Sequence, residues 1–298
     1  MKRPPATVSV DLDPVDLHLA GYGVRGLAAD PLIYGAALPR LIERFARFGV
    51  RATFFVVARD TGTQGAAVSR LARDGHEVAS HSLTHPLALT RLPAEELTRE
   101  LVESRAQLAR AAGEEIAGFR APNFDLDARV LRGLASAGYR YDASGYPTPM
   151  LLLARILLAA RSGDPRAVLR MRSWPRSFAR HPHRLDRALG GLAEFPTAVT
   201  PRLRLPVYHT LRFFTARAPF LRRLEGFALR GEPLSYPLHA VDALGLAEDG
   251  VDARLARHPG MALPLEEKLA ALDDVLRLIA ARFEPAPFRD RLDRGEIV

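Results

Sequence analysis

Two rhythms of apolar and polar residues take turns along the chain. Thr7 to Leu12 alternates every second residue and predicts a strand. Leu38, Leu41, Ile42, Phe45 and Phe48 recur at helical spacing, and Gly49 closes that helix. Val50 to Val57, with its run Phe54-Phe55-Val56-Val57, predicts a buried strand. Residues 64–74 predict a helix ended by Gly75, and Glu77 to Ser80 a short strand. Leu97, Leu101, Arg105 and Leu108 mark a helix over residues 95–112. Gly118 to Ala121 predicts a strand, Ala128 to Ala137 a helix closed by Gly138, and Tyr139 to Asp142 another strand. Repeated βα units argue for parallel strands covered by helices, in an open doubly wound sheet or a barrel.

The rhythm breaks after Gly145. Residues 146–190 combine prolines, an apolar run and many arginines, and are expected to form an insertion. Alternation returns at Leu192 to Thr197 and at Leu234 to His239, and an amphipathic helix is expected from Leu265 to Phe283. The charged tail after Pro285 is expected to pack loosely.

Composition narrows the chemistry. The 298 residues are 48% hydrophobic and 26% charged, which fits a globular chain with room for one large α/β domain or two smaller ones. With no cysteine, disulfides are excluded and any metal must be held by nitrogen and oxygen. The formal charge is +8, carried by 42 basic against 34 acidic residues, and only Lys2 and Lys268 are lysines. A basic surplus attracts nucleic acid, anionic lipid or phosphorylated ligands, but no nucleic-acid-binding motif accompanies it here. Met1-Lys2-Arg3-Pro4-Pro5 leads straight into a strand without an apolar export segment, so a cytoplasmic protein is expected. The apolar patch from Met150 to Ala160 is broken by Arg155 and falls short of the ~20 residues that span a bilayer.

Four groups of residues carry candidate chemistry. In Ser9-Val10-Asp11-Leu12-Asp13 both aspartates project to one face of the strand, where two carboxylates need a cation or a proton, or else solvent at the strand end. His81 and His85 in His81-Ser82-Leu83-Thr84-His85 are four apart, a spacing that in a helical turn puts two imidazoles on one face as metal ligands. Two ordinary loop histidines would look the same. Arg120, before Ala121-Pro122, sits where it could hold a carboxylate by a bidentate contact or simply face solvent ahead of a turn. His239 and Asp142 each end an apolar strand, and each could be a catalyst or a satisfied structural residue.

In order, spacing and strand-end placement these groups resemble the polysaccharide deacetylases, the NodB-type carbohydrate esterases, over about residues 6–245. That family carries an Asp-containing first motif, an H-S/T-x-x-H second motif, an R-x-P third motif and a late Leu-His, here Leu238-His239. Its commonest first motif has adjacent aspartates, whereas Leu12 separates them here. Some branches resemble the D-x-D form, including deformylases of lipid-linked aminoarabinose, and the departure argues against a generic chitin-like polymer. The aromatic fourth motif is not placed, and Trp174 falls in the insertion.

The resemblance implies a distorted (β/α) barrel over residues 1–250, interrupted by the 146–190 insertion and followed by a helical extension over 251–298. It implies a divalent ion held by Asp13, His81 and His85, with zinc first among ions that include nickel, cobalt and iron. Asp11 would be the general base, Arg120 would orient it, His239 would protonate the leaving amine, and Asp142 would be an orienting partner. The implied reaction is hydrolysis of an N-acyl group, acetyl or formyl, on an amino sugar. The apolar run from Met150 to Leu158, followed by arginines, suits a lipid- or polyprenyl-phosphate-linked substrate and peripheral contact with anionic lipid at the inner membrane face, or equally a hairpin packed over the barrel. The competing reading is a catalytically inactive sugar- or lipid-binding protein on the same fold, against which every ionisable group of the mechanism is retained.

Overall fold

The computed structural model describes residues 2–28, 30–149 and 179–297. The apolar run from Met150 to Leu158, Trp174 and the arginines at 155, 161, 166, 170, 172 and 176 lie outside the described residues. Contacts divide the chain into two compact units, Met1–Phe54 with Val207–Pro287, and Phe55–Pro206 with Phe288–Val298. The strand β2 (Thr53–Val56) carries the chain from the first to the second.

In the first unit β1 (Pro5–Leu12) pairs in parallel with β8 (Leu234–His239), in a register that sets Asp11 opposite His239. On β1 the short β9 (Glu284–Pro285) also pairs, through Pro5. The expected helix after β1 is α2 (Leu38–Phe48), which buries Leu38, Leu41 and Phe45 and ends at Gly49. Helix α7 (Leu265–Arg282) buries Leu272, Val275, Leu276 and Ile279, close to the range its amphipathic pattern predicts. Two helices escaped the pattern. Helix α1 (Val15–Gly21) has only two turns, too short for a periodic signal. Helix α6 (Arg217–Leu229) has Pro219 in its first turn, where the missing N–H is harmless, although in sequence it reads as a breaker.

The second unit has the strand order β6-β7-β5-β4-β3, with β6 (His183–Arg184) antiparallel to β7 (Ala193–Glu194) and the remaining pairs parallel. Strand β3 is Glu77–Ser80, β4 is Gly118–Phe119 and β5 is Tyr141–Asp142. The helices α3 (Thr61–Arg73), α4 (Ala94–Ala112) and α5 (Ala128–Ser136) follow the βα rhythm. Asp127 starts α5 by accepting from the N–H groups of Arg129 and Val130, both at 2.9 Å. Gly118 opens β4 because a β-carbon there would lie 1.8 Å from the Tyr141 ring.

The tail does not pack loosely. Helix α8 (Phe288–Asp293) brings Phe288 to ring distances of 4.8 Å from Phe195 and 5.6 Å from Tyr141. Burying one such ring is worth roughly 2–3 kcal/mol. The charges that suggested a loose tail are paired within this unit: Arg291 is buried against Glu296 at 3.1 Å, and Arg289 meets Glu114 at 2.9 Å.

Candidate active site

The candidate residues lie at the C-terminal ends of the strands. On β1, Asp11 and the residue two further on, Asp13, are buried, as their shared facing predicts. On β8, opposite Asp11, His239 is partly exposed and places Nε2 3.8 Å from Asp11 Oδ2. A turn holds His239 in place: its backbone N–H donates to Asp242 Oδ2 at 3.2 Å. Behind that turn the buried Lys268 donates to the carbonyls of Leu244 at 2.6 Å and Val241 at 3.2 Å. Burial lowers the Lys268 ammonium to about 8, against the opposing pull of Asp242, Glu248 and Asp249. Beside His239 the His18 ring stands 5.9 Å away, and His258 lies 5.0 Å beyond it, hydrogen bonded to the Tyr22 hydroxyl. Burial holds His258 at about 4.

In the second unit His81 and His85 have ring centroids 5.0 Å apart. The two rings come together, but not through the helical turn that the spacing suggests. Residues 81–85 form a loop, with Ser82 and His85 at positive φ (68° and 59°). Such values cost non-glycine residues energy and need support from the surroundings. Glu100, buried on α4, supplies it by accepting from the N–H groups of Leu83 (2.9 Å) and Thr84 (3.0 Å) and from the Thr84 hydroxyl. The His85 N–H donates to Ser82 Oγ at 3.0 Å. His81 Nδ1 donates to the Arg120 carbonyl at 2.7 Å, which leaves Nε2 with its lone pair for a ligand.

Arg120 is only 1% exposed, so the solvent-facing alternative does not hold. Its guanidinium carbon lies 4.1 Å from the Phe55 ring centroid, and Nε donates to the Ala143 carbonyl at 3.1 Å. Asp142 faces Ser144, whose hydroxyl donates to it at 2.7 Å, and Glu194 on β7. Burial raises both Asp142 and Glu194, the latter well above the usual carboxylate range. Sequence reasoning missed Glu194 and Glu100. Each had a signal, an acid within an apolar strand (Leu192-Ala193-Glu194-Phe195) or on the apolar face of a helix (Leu97, Glu100, Leu101, Ser104).

Asp13 in the first unit and His81 and His85 in the second are all buried. One carboxylate and two neutral imidazoles are a donor set that suits a divalent ion.

Residues 31–141 match the sequence model of the family described as polysaccharide deacetylase. Over that stretch the chain resembles the polysaccharide deacetylases. The chitooligosaccharide deacetylase of Rhizobium leguminosarum bv. trifolii is 30% identical over 131 residues, 42% of this chain and 60% of that one. A peptidoglycan-N-acetylglucosamine deacetylase of Bacillus cereus is 27% identical over 75 residues, 25% of this chain and 27% of that one. The matched region therefore spans no more than about 60% of these relatives. A crystal structure of a Mycobacterium smegmatis protein, described as a polysaccharide deacetylase, superposes with a TM-score of 0.61 at 18% identity, covering 100% of this chain and 92% of that one. The PuuE allantoinase superposes at 0.58 with 15% identity, covering 96% and 88%. At such identities the likeness concerns the fold, the distorted (β/α) barrel of these deacetylases. It does not choose between sugar and non-sugar substrates.

Proposed function

We propose that the chain is a metal-dependent amide hydrolase that removes an N-acyl group, acetyl or formyl, from an amino sugar. The observation that carries this reading is the pairing of Asp11 with His239 at 3.8 Å in one unit, together with the His81 and His85 rings 5.0 Å apart in the other. The match of residues 31–141 to the polysaccharide deacetylase model and the names of the rhizobial and bacillar relatives support it.

Asp13, His81 and His85 would hold the ion, and zinc is the first choice among ions that accept this donor set. A bound divalent ion supplies polarisation of the amide carbonyl and a lowered pKa for water. The remaining tasks fall to side chains. Asp11 takes the proton of the attacking water. His239 gives a proton to the departing amine, which is otherwise a poor leaving group. Its backbone is held by Asp242 and its turn by Lys268, so the imidazole is presented in one place. Arg120, a buried cation, favours the ionised form of neighbouring carboxyl groups, and Asp142 belongs to its support.

The finer reading is a lipid- or polyprenyl-phosphate-linked amino sugar met at a membrane surface. It rests on the sequence from Met150 to Arg176, and among the described residues no helix is long and apolar enough to cross a membrane. Mass spectrometry tests the whole proposal: metal-loaded protein is incubated with N-acetyl and N-formyl amino sugars in free, nucleotide-linked and lipid-linked form. Loss of the acyl mass is expected. Metal binding without mass loss from any of them would favour a binding protein and overturn the hydrolase reading.

A further inference from the structure

Within the second unit, two carboxyl groups meet away from solvent. Asp142 on β5 and Glu194 on β7 are register partners on adjacent parallel strands, both buried and both bonded to the same 143–145 turn, Asp142 through Ser144 and Glu194 through Gly145. Two buried carboxyl groups side by side are costly to ionise together, so one of them holds a proton.

The other contacts decide which. Asp142 accepts from the Ser144 N–H at 3.1 Å and from the Ser144 hydroxyl at 2.7 Å. Among the described residues Glu194 accepts from one donor, the Gly145 N–H, at 2.9 Å on Oε1, leaving its second oxygen for the partner. Donors favour the ionised form, so Asp142 is the anion and Glu194 the acid.

We propose that Glu194 is a positioning residue of the hydrolytic site: as a neutral acid it donates to ionised Asp142, and the pair clamps the 143–145 turn on which Arg120 is anchored. Burial and the neighbouring Asp142 charge both push Glu194 upward, in the direction this requires. The Arg120 Nε–H donates to the Ala143 carbonyl, and the Ala121 N–H donates to Ser144 Oγ at 2.7 Å. The turn thus grips Arg120 and its neighbour from one side while Asp142 and Glu194 hold it from the other. Charge balances as well, since one shared negative charge faces one guanidinium. The other titratable side chain at this register is His183 on β6, opposite Glu194, whose Nδ1 bonds to the His181 carbonyl. Gly145 fits the clamp because a β-carbon there would lie 2.6 Å from Glu194 Oε1.

The assignment of Arg120 to catalysis rests on the proposed function, while the proton on Glu194 does not. Infrared difference spectra of wild type against Glu194→Gln therefore come first. Near neutral pH, wild type is expected to show the C=O stretch of a protonated carboxylic acid that the variant lacks. Absence of that band overturns the proposal whatever the activity. Turnover then tests positioning. The Gln amide reproduces both hydrogen bonds and should keep kcat within about twofold, while Glu194→Ala should lose about 10–100-fold in kcat with little change in KM. Wild-type turnover should fall at high pH as the shared proton leaves, and Glu194→Gln should not show that limb. Equal losses in Gln and Ala variants, or an unchanged alkaline limb in Gln, would overturn the clamp. If Glu194→Ala does not fold, the infrared band and the Gln profile decide alone. A wild type that hydrolyses no amide sinks the proposed function and leaves the infrared result to judge the shared proton.

Discussion

Acid should destabilise this protein through one histidine that takes no part in the chemistry. His209 is fully buried, with Nδ1 2.9 Å from the Tyr236 hydroxyl on β8, the strand that ends in His239. Burial drives its pKa down to about 4 from the ordinary 6.5, with Lys268 and Arg212 adding to the shift and Asp242 opposing it. Below pH 6.5 the unfolded chain takes up a proton that the folded chain refuses. Stability is therefore full above 6.5 and is lost as pH falls towards 4. Two and a half units correspond to about 3 kcal/mol at 1.36 kcal/mol per unit. The perturbation is His209→Gln, whose amide oxygen can still accept from Tyr236 but cannot titrate. Urea denaturation of both proteins at half-unit pH steps from 7 to 4 gives the difference in unfolding free energy. Other carboxyls and His258 titrate in both proteins and cancel. Wild type should lose about 3 kcal/mol more than the variant over that range. Two curves that fall in parallel would show that His209 protonates without cost and would refute the argument from burial.

Asp11→Asn should lower kcat by about 10²–10⁴ while metal content, read by plasma mass spectrometry, stays at the wild-type level, because Asn keeps the shape but accepts no proton. Metal content should instead fall in His81→Ala and His85→Ala, and chelation of wild type should abolish turnover until zinc is restored; full activity in the chelated protein would remove the ion from the mechanism. Glu100→Ala should cost at least ~2 kcal/mol of stability by leaving the Leu83 and Thr84 N–H groups without their acceptor, and should weaken metal binding about 10–100-fold in titration calorimetry. Replacing Arg170, Arg172 and Arg176 by Ser should reduce sedimentation with anionic liposomes at low salt, where charges are screened beyond roughly 8 Å only at physiological ionic strength; unchanged sedimentation would remove the membrane part of the proposal.

What could be read from the sequence, and what could not, follows from the range of the forces involved. Asp11, Asp13, His81, His85, Arg120 and His239 each announce themselves locally, as polar groups where an apolar strand stops. The barrel follows from the same alternation, since each strand is followed by a helix that can cover it. The loop at His81–His85 was legible as a pair and not as a shape. Its left-handed residues are sustained by Glu100, 15 residues beyond His85, and spacing alone carries no trace of that support. The packing of the tail is not legible locally because its partners are distant: Glu77, which accepts from the Arg289 N–H at 3.0 Å, is 212 residues away.

A common signal nevertheless links the residues that were missed. Glu77, Glu100 and Glu194 each sit among apolar neighbours, where an acid is costly unless something repays it. In all three cases part of the repayment is backbone N–H. Glu77 accepts from Arg289, Glu100 from Leu83 and Thr84, and Glu194 from Gly145. Two of the three receiving segments adjoin the candidate site, one carrying the histidines and the other the anchor of Arg120. A buried acid in an apolar run is thus a pointer to a loop that must be held in one shape. Asp125 fits the same logic, accepting at 2.9 Å from both the N–H and the hydroxyl of Thr90. The identity of the loop is a long-range fact, but the need for one is visible in the sequence at the acid itself.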